Sequence, residues 1–346
     1  MRPMLNPALR RVWRDPNTVQ FGVDVQTPVL LTGVGDETAE LLRKLDGTHD
    51  WREFVPSSSD NGDSARHVES LLNRLSALNV LIDGASWPGG RGLSVAARAR
   101  LAPDLAAAAL RTTPGDPARQ CNRFAETAVG IVGVGRLGAV IATLLTASGV
   151  GRVDVHDDGL VESHDVCVGG FEPSDVGHKR KDISRSLSTW ETMPPVTGPR
   201  TFTIITDESD TRIVSQQQAS LGIPHLLVSS TEAIAKVGPL VLPGKSACLR
   251  CIDLEHSERD AGWPKVVVQP NTGAGIVARD SNLTVSTAAL AAVHVLSWLS
   301  GTNPASVNGV IELHLADGAT YRRSARFHPA CGCAWSAESR QDTMAG

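Results

Sequence analysis

The sequence lacks the marks of a membrane or secreted protein. No unbroken apolar run approaches the roughly 18 residues that span a bilayer. Arg2, Arg10 and Arg11 make the beginning of the chain basic, but no apolar stretch follows to complete a secretion signal. Six cysteines in such a chain are expected to be thiols or metal ligands rather than disulfides. These absences predict a cytoplasmic protein with no membrane partner.

Aromatic residues and net charge are also scarce. Aromatics make up 4% of the chain and the formal net charge is -4, so no strong overall field favours nucleic acid or anionic lipid. No internal repeat recurs at a fixed period. Apolar residues account for 41% of the sequence, which is usual for a globular protein, and the length of 346 residues predicts one large domain or two.

Glycine and proline divide the chain at "DGASWPGGRG", residues 83–92, which is typical of a linker. We therefore expect a small domain over residues 1–85 and a bridging segment over residues 86–122. A larger domain is expected over residues 123–335, followed by a disordered tail over residues 336–346.

Residues 1–85 read as strand, strand, helix, helix, strand, the order of a small winged-helix-like α+β domain. Val19, Phe21 and Val23 alternate on one face of the first strand. The second helix carries an apolar stripe at helical spacing, formed by Val68, Leu71, Leu72, Leu75 and Leu78.

Strands and helices alternate after the linker, which predicts a Rossmann-like α/β domain whose mostly parallel sheet is covered on both faces. A long helix is predicted over residues 282–301, and "VNGVIELHL" and "ATYRRSARF" predict a terminal hairpin.

Gly133, Gly135 and Gly138 form a G-x-G-x-x-G turn between the first strand of this domain and a helix. Such glycines permit a tight turn, a close approach of phosphate and close packing of helix on strand. Asp157 ends the next strand, 24 residues after Gly133, where a carboxylate commonly binds a ribose hydroxyl. A turn used only for packing is the alternative, and the motif does not separate NAD from ATP.

Two short-spaced cysteine pairs, Cys248 with Cys251 and Cys331 with Cys333, predict a structural zinc site of four thiolates. The alternative is four unliganded thiols. Because the Cys-x-Cys half is unusually tight, His328 is a candidate substitute ligand or a hydrogen-bond partner of a ligand.

Together with "TDESDTR", these motifs resemble the ThiF/MoeB family, relatives of ubiquitin-activating enzymes, over about residues 125–335. "IPHLLVSS" and "VGPLVLPGKSACLRC" most resemble its actinobacterial members linked to peptide natural products. The resemblance implies an ATP- and Mg²⁺-dependent adenylyltransferase that acts on a carboxylate, as a homodimer. It assigns Asp207 to magnesium and the α-phosphate, with Arg212 five residues on; a helix N-cap is the alternative for Asp207.

The chain departs from the family pattern at positions that carry cationic residues, either in the family or in this chain. Where the family carries S-N-x-x-R-Q, this chain has "SHDVCVG", and the family lysine falls on Arg180, next to Lys181. The resemblance therefore implies catalytic roles for Arg180 and Arg212 and a nucleotide-binding role for Lys181. Arg136 stands where the family has glycine, either as a replacement cation in the nucleotide site or facing solvent. Residues 252–282 contain no cysteine, which predicts that no thioester intermediate forms.

The front domain resembles the leader-peptide-binding element of enzymes that modify ribosomal peptides. DNA binding is disfavoured because residues 1–85 hold nine Lys and Arg against twelve Asp and Glu; a domain that only supports dimerisation is the other alternative. We therefore expect ATP-dependent activation of a carboxylate or amide on a peptide or small protein. A degenerate scaffold that presents a leader peptide to a partner cyclodehydratase is the second hypothesis. An NAD oxidoreductase would leave the cysteines unexplained.

Overall fold

The computed structural model describes residues 1–25, 27–55, 63–85, 87, 94–111, 122–187, 198–206, 210–269 and 278–334. The chain divides into two compact units, Met1–Phe124 and Ala125–Gly346. The predicted tail over residues 336–346 and much of the predicted bridging segment lie outside the described residues.

The first unit contains two small antiparallel sheets. Strand β1 pairs with β5, and β2, β3 and β4 form a sheet in chain order. Its elements are β1 (Pro3–Leu5), β2 (Arg11–Asp15), β3 (Thr18–Phe21), β4 (Val29–Thr32), α1 (Asp36–Lys44), α2 (Trp51–Phe54), α3 (Asp63–Ala77), β5 (Leu81–Asp83) and α4 (Val95–Arg111). Helix α4 occupies part of the predicted bridging segment.

The apolar patterns of the first unit are confirmed in their centres and wrong at their ends. Val19, Phe21 and Leu72 are buried in one core. Val23 is 41% exposed because β3 already ends at Phe21, and Leu78 is 52% exposed because α3 ends one residue before it. Periodicity therefore located the faces but extended them beyond the regular backbone.

The second unit is a seven-stranded mixed sheet in the order β12-β11-β10-β9-β8-β6-β7. Strands β7, β6, β8 and β9 are parallel, and β10, β11 and β12 add antiparallel pairs. The predicted α/β class with a mostly parallel sheet is confirmed. Its strands are β6 (Ala128–Val132), β7 (Arg152–His156), β8 (Phe202–Thr206), β9 (His225–Thr231), β10 (Ile234–Val241), β11 (Gly309–His314) and β12 (Thr320–Ser324).

Helices cover this sheet. They are α5 (Arg136–Ala147), α6 (Arg180–Leu187), α7 (Thr211–Ser220), α8 (Leu249–Arg259), α9 (Trp263–Val267) and α10 (Ser281–Leu299), with short 3-10 turns at Ser163–Asp165 and Pro173–Asp175. Helix α10 packs against α5 and against β9 and β10, while α7 packs against β8 and β9.

Helix α10 is the one described helix that is long and apolar enough to cross a membrane, judged by length and composition alone. Sequence analysis missed this property because threonine, serine and histidine interrupt its apolar run. Of the relevant window, 56% is buried inside the protein, and Thr287, Ala288, Ala291 and Val295 are fully enclosed. This burial is that of a core helix packed in an α/β unit.

His225, the first residue of β9, is fully buried, and both of its ring nitrogens are used. Nε2 lies 2.8 Å from Ser215 Oγ, and Nδ1 lies 3.0 Å from the carbonyl oxygen of Ile223. The carbonyl accepts, so Nδ1 carries the proton and Nε2 accepts from the serine hydroxyl. Burial lowers the pKa of His225, against a smaller opposite effect of the Ile223 carbonyl.

Acidification is therefore expected to destabilise the protein through His225. Because the pKa is lowered, the contribution of neutral His225 to the free energy of unfolding is fully present above the ordinary histidine pKa of about 6.5. That contribution is lost as pH falls below this value, by up to roughly 1.4 kcal/mol per pH unit. Urea unfolding at several pH values should show a shallower loss in His225→Gln. The exposed His178→Gln should keep the wild-type slope; an unchanged slope in His225→Gln would contradict the assignment.

Candidate functional site

The glycine turn lies where β6 ends and α5 begins. Gly133 has a φ of +83°, and a Cβ on Gly138 would lie only 2.3 Å from the carbonyl oxygen of Gly133, so a side chain at position 138 cannot be accommodated. Gly135 is the N-cap of α5, and as a glycine it has no side chain of its own to cap that helix. The helix therefore presents a partial positive charge at its N-terminus, as an anion-binding turn requires.

Asp157 lies directly below this turn, at the end of β7. Its Oδ2 accepts from the backbone N–H of Val134 at 2.8 Å, and its Oδ1 accepts from the N–H of Gly159 at 2.8 Å. Strands β7, β6 and β8 are neighbours and parallel, so their carboxyl ends share one edge of the sheet. This edge is where open α/β sheets bind ligands.

Arg180 binds two carboxylates at the start of α6. It donates to Asp165 Oδ2 from Nε and Nη2 at 3.1 and 2.7 Å, and to Asp157 Oδ2 from Nη1 at 3.2 Å. Burial alone would lower the pKa of Arg180, but the hydrogen bonds and charges of Asp165 and Asp157 outweigh it and raise that pKa. Its predicted catalytic role stays a prediction, and the structure shows it holding Asp157.

Asp165 is a residue of this cluster that was not predicted from the sequence. Its side chain is 2% exposed, and its Oδ2 also accepts from the N–H of Glu162 at 2.8 Å. The sequence does contain a reciprocal capping pattern between Glu162 and Asp165, which stabilises the short 3-10 turn. That local pattern does not indicate that Asp165 also binds an arginine later in the chain.

Two further predicted cofactor residues lie close to this cluster. Lys181 contacts the exposed carboxylate of Asp158 at 2.7 Å, and that hydrogen bond lowers the pKa of Asp158. Arg136, the first residue of α5, donates to the carbonyl of His164 at 3.1 Å and to the hydroxyl of Ser281. Its Nε is buried without a hydrogen-bond partner in the described part of the chain. Arg136 thus links the glycine turn to the start of α10.

Arg212 makes an ion pair away from the Asp157 cluster. Its Nε and Nη2 donate to the two carboxylate oxygens of Asp253 at 3.0 and 3.1 Å, and Nη1 donates to the carbonyl of Val267 at 3.2 Å. Asp207, the predicted magnesium ligand, lies outside the described residues. Thr206 immediately before it ends β8 and donates to the Gly133 carbonyl at 2.8 Å, which ties the end of β8 to the glycine turn.

The four predicted cysteines meet in one cluster. Cys248 and Cys251 lie at the start of α8, and Cys331 and Cys333 lie after β12. The sulfurs of Cys248 and Cys331 are 3.5 Å apart, those of Cys251 and Cys333 are 3.4 Å apart, and those of Cys248 and Cys251 are 3.8 Å apart. All four lie within 4.8 Å of one another.

This arrangement fits a tetrahedral metal. Zinc–sulfur bonds of about 2.3 Å place sulfurs roughly 3.8 Å apart in a tetrahedron, close to the observed separations. Without metal, burial raises the pKa of Cys331 to about 11 and also raises that of Cys333. Burial acts the same way on Cys251, but hydrogen bonds from the His328 and Cys248 backbones outweigh it and lower the pKa of Cys251.

His328 is not one of the clustered ligand atoms. Its Nε2 contacts Glu258 Oε1 at 2.9 Å, its Nδ1 accepts from the N–H of Ala330 at 3.2 Å, and its carbonyl accepts from the N–H of Cys331 at 2.9 Å. These bonds tie the segment that carries Cys331 to α8. Of the two roles weighed for His328, the geometry favours support of a ligand.

A mixed sheet with four parallel strands, a glycine turn with a carboxylate beneath it and a four-cysteine cluster together define a Rossmann-like α/β unit. Residues 109–188 match the model of the ThiF family, which confirms the predicted family resemblance. None of the curated proteins is similar enough to match the chain.

Solved structures with the same fold include MccB and PaaA. Escherichia coli MccB with AMPCPP and MccA is 15% identical, with a TM-score of 0.71, and the match covers 96% of this chain and 99% of that one. The microcin C7 biosynthetic enzyme MccB in complex with N-formylated MccA is 14% identical, with a TM-score of 0.69 and coverage of 96% and 100%. PaaA is 18% identical, with a TM-score of 0.68 and coverage of 93% and 99%. At these identities the likeness establishes the fold.

Proposed function

We propose that the chain is an ATP-dependent adenylyltransferase that activates a carboxylate of a peptide or small protein. The observation that carries the proposal is the glycine turn at the N-terminus of α5, where a side chain at position 138 cannot be accommodated, with Asp157 bound to the N–H of Val134 beneath it. The similar MccB structures were solved with ATP, with AMPCPP and with the peptide MccA, which supports this substrate class.

In this proposal, different residues of the site contact different parts of the nucleotide. The backbone of Gly133, Gly135 and the first turn of α5 would face the phosphates. Asp157 would accept from the ribose hydroxyls, because its oxygens keep acceptor capacity beyond the three donors that hold them. Asp207 would hold Mg²⁺, for which carboxylate oxygen is a preferred ligand.

The cations have different tasks in this proposal. Lys181 is the cation proposed for the phosphates, because it follows Arg180 at the start of α6, and its ion pair with the 91% exposed Asp158 contributes little. The three arginines act by holding other side chains in place: Arg136 holds Ser281, Arg180 holds Asp157 and Arg212 holds Asp253. ATP supplies the phosphorus that the carboxylate oxygen attacks, with pyrophosphate leaving; the chain orients the two and offsets their charge.

The activated carboxylate is proposed to react without transfer to a cysteine. Residues 252–282 contain none, and Cys167 is buried; Cys121 lies outside the described residues. We also propose a zinc ion in the four-cysteine cluster, a homodimeric state, a cytoplasmic location and capture of the peptide by the first unit. Strands β2 and β4 form the two edges of its three-stranded sheet, where an extended peptide would add as a further strand.

ATP–pyrophosphate exchange tests the proposal. With ATP, Mg²⁺ and carboxylate peptides, Asp207→Ala is expected to lower exchange by roughly 100-fold or more, because charge compensation at the phosphates is lost. Asp210→Asn is the matched control, because Asp210 caps α7 through the N–H of Ile213 and asparagine caps equally well. Exchange that survives Asp207→Ala would reject the role of Asp207.

The scaffold hypothesis is favoured by one observation: Arg180 and Arg212 both bind carboxylates of the chain itself. A scaffold would bind peptide and show no exchange in the wild type, and it would present that peptide to a partner cyclodehydratase. Measuring peptide binding beside exchange separates the two functions.

A further inference from the structure

A cavity of about 550 Å³ lies over the antiparallel half of the large sheet. Leu227, Val228 and Ser229 of β9 line it, whereas the next residue, Ser230, contacts the hydroxyl of Thr284 on α10 at 3.3 Å. Successive side chains of a strand point to opposite faces, so the cavity and α10 lie on opposite faces of the sheet. Its volume is in the range of ligand-binding pockets.

Helix α8 forms the wall opposite the sheet. The residues that line the cavity recur at helical spacing, so they share one face of α8: Leu249, Ile252, Asp253, Glu255, His256 and Arg259. Trp263 packs edge-on against His256, with ring centroids 4.6 Å apart, and extends this wall into α9. The result is a partly apolar groove between a sheet and a helix.

The charges of the lining do not cancel. Five cationic side chains line the cavity against three carboxylates. Asp253 is paired with Arg212, and Glu312 is paired with Arg323 at 2.6 Å. Glu255 is paired with Arg259.

In the described part of the chain, Lys236 and Arg322 form no ion pair with a carboxylate. Within the described ranges Lys236 has no ion-pair partner, although it lies between Ser229 and Glu312 in the strand register. Arg322 donates to the carbonyls of Ala305 and Asn308 and to the Ser324 hydroxyl, so its charge also stays uncompensated. The groove thus favours an anionic occupant.

The first turn of α7 connects this groove to the glycine turn. Thr211, which lines the groove, contacts the carbonyl of Thr206 at 3.4 Å, and the Thr206 hydroxyl donates to the Gly133 carbonyl. A peptide whose carboxylate lay at the glycine turn would therefore have its preceding residues at the groove.

We propose that the groove binds the residues of the substrate peptide that precede the activated carboxylate, and that Lys236 and Arg322 select an acidic side chain among them. This inference rests on the proposed function for the identity of the occupant. Beyond that function, the inference specifies that the substrate peptide carries a negatively charged side chain.

Acetylated hexapeptides of alanine and leucine, with a free carboxyl end and one Glu, Gln or Lys at a position before it, test the proposal. By calorimetry without ATP, the wild type is expected to bind the Glu peptide about fivefold more tightly than the Gln peptide. Lys236→Glu is expected to reverse the order in favour of the Lys peptide, which loss of structure alone would not do. Lys245→Glu, another exposed lysine of this unit, should behave as wild type.

Equal binding of the three peptides, or an unchanged order in Lys236→Glu, would overturn the proposal. ATP–pyrophosphate exchange with the same peptides separates it from the proposed function. If exchange occurs equally with all three peptides, acidic selection is rejected and the adenylyltransferase function is retained. If binding depends on the charge of the peptide but no exchange occurs, acidic selection is retained and the adenylyltransferase function is rejected.

Discussion

The chain is expected to carry one zinc ion, and Cys331→Ser with Cys333→Ser to lose it together with several kcal/mol of stability. Folding creates a tetrahedral set of sulfurs, so the free energy of metal binding adds directly to folding. A loss of about 4 kcal/mol would lower the melting temperature by roughly 8–16 °C in a unit of this size. Metal analysis and thermal melting with and without a chelator measure both effects.

Cys167→Ala is the matched control for the cysteine variants. Cys167 is buried at 8% exposure but lies outside the four-sulfur cluster, so its replacement should leave the zinc content unchanged. A wild-type protein that is metal-free as purified, and whose melting ignores the chelator, would show that the four sulfurs are unliganded thiols.

Arg180→Met is expected to lower the free energy of unfolding by roughly 3–5 kcal/mol, because it leaves the buried carboxylate of Asp165 without its cation. Asp157 would lose the same partner, so ATP binding is expected to weaken as well. Chemical denaturation and nucleotide titration give the two readouts.

A second variant distinguishes this ion-pair effect from poor packing. Adding Asp165→Asn to Arg180→Met removes the unpaired charge, so part of the lost stability should return. Lys181→Met, one residue along the chain, removes an ion pair whose carboxylate is 91% exposed and should cost less stability than Arg180→Met. Equal losses in Arg180→Met and Lys181→Met would contradict the proposed role of Arg180.

The regular parts of the fold were predictable because they follow local patterns. The glycine turn, the strand that ends before Asp157 and the helix now seen at Ser281–Leu299 all carry their signal within a few residues. Strand β10 was missed because Gly238 and Pro239 interrupt it, and α8 was missed because its sequence shows no apolar stripe.

Long-range ion pairs could not be predicted from spacing. Arg180 was predicted to serve a phosphate from its place in the sequence, yet its partner Asp165 lies 15 residues earlier. Arg212 and Asp253 are 41 residues apart and meet only because α7 and α8 lie side by side. Tertiary packing decides which arginine is free, and a single sequence does not contain that information.

The spacing of the cysteine pairs also constrains the order of assembly. Cys248 and Cys251 precede α10 and the hairpin of β11 and β12, whereas Cys331 and Cys333 follow them. Both of these elements must be synthesised before the four sulfurs can meet, so a metal bound there would join segments that are made at different times. It would hold closed the long loop that contains the core helix and the outer strands, and it would lower the conformational entropy of the unfolded chain.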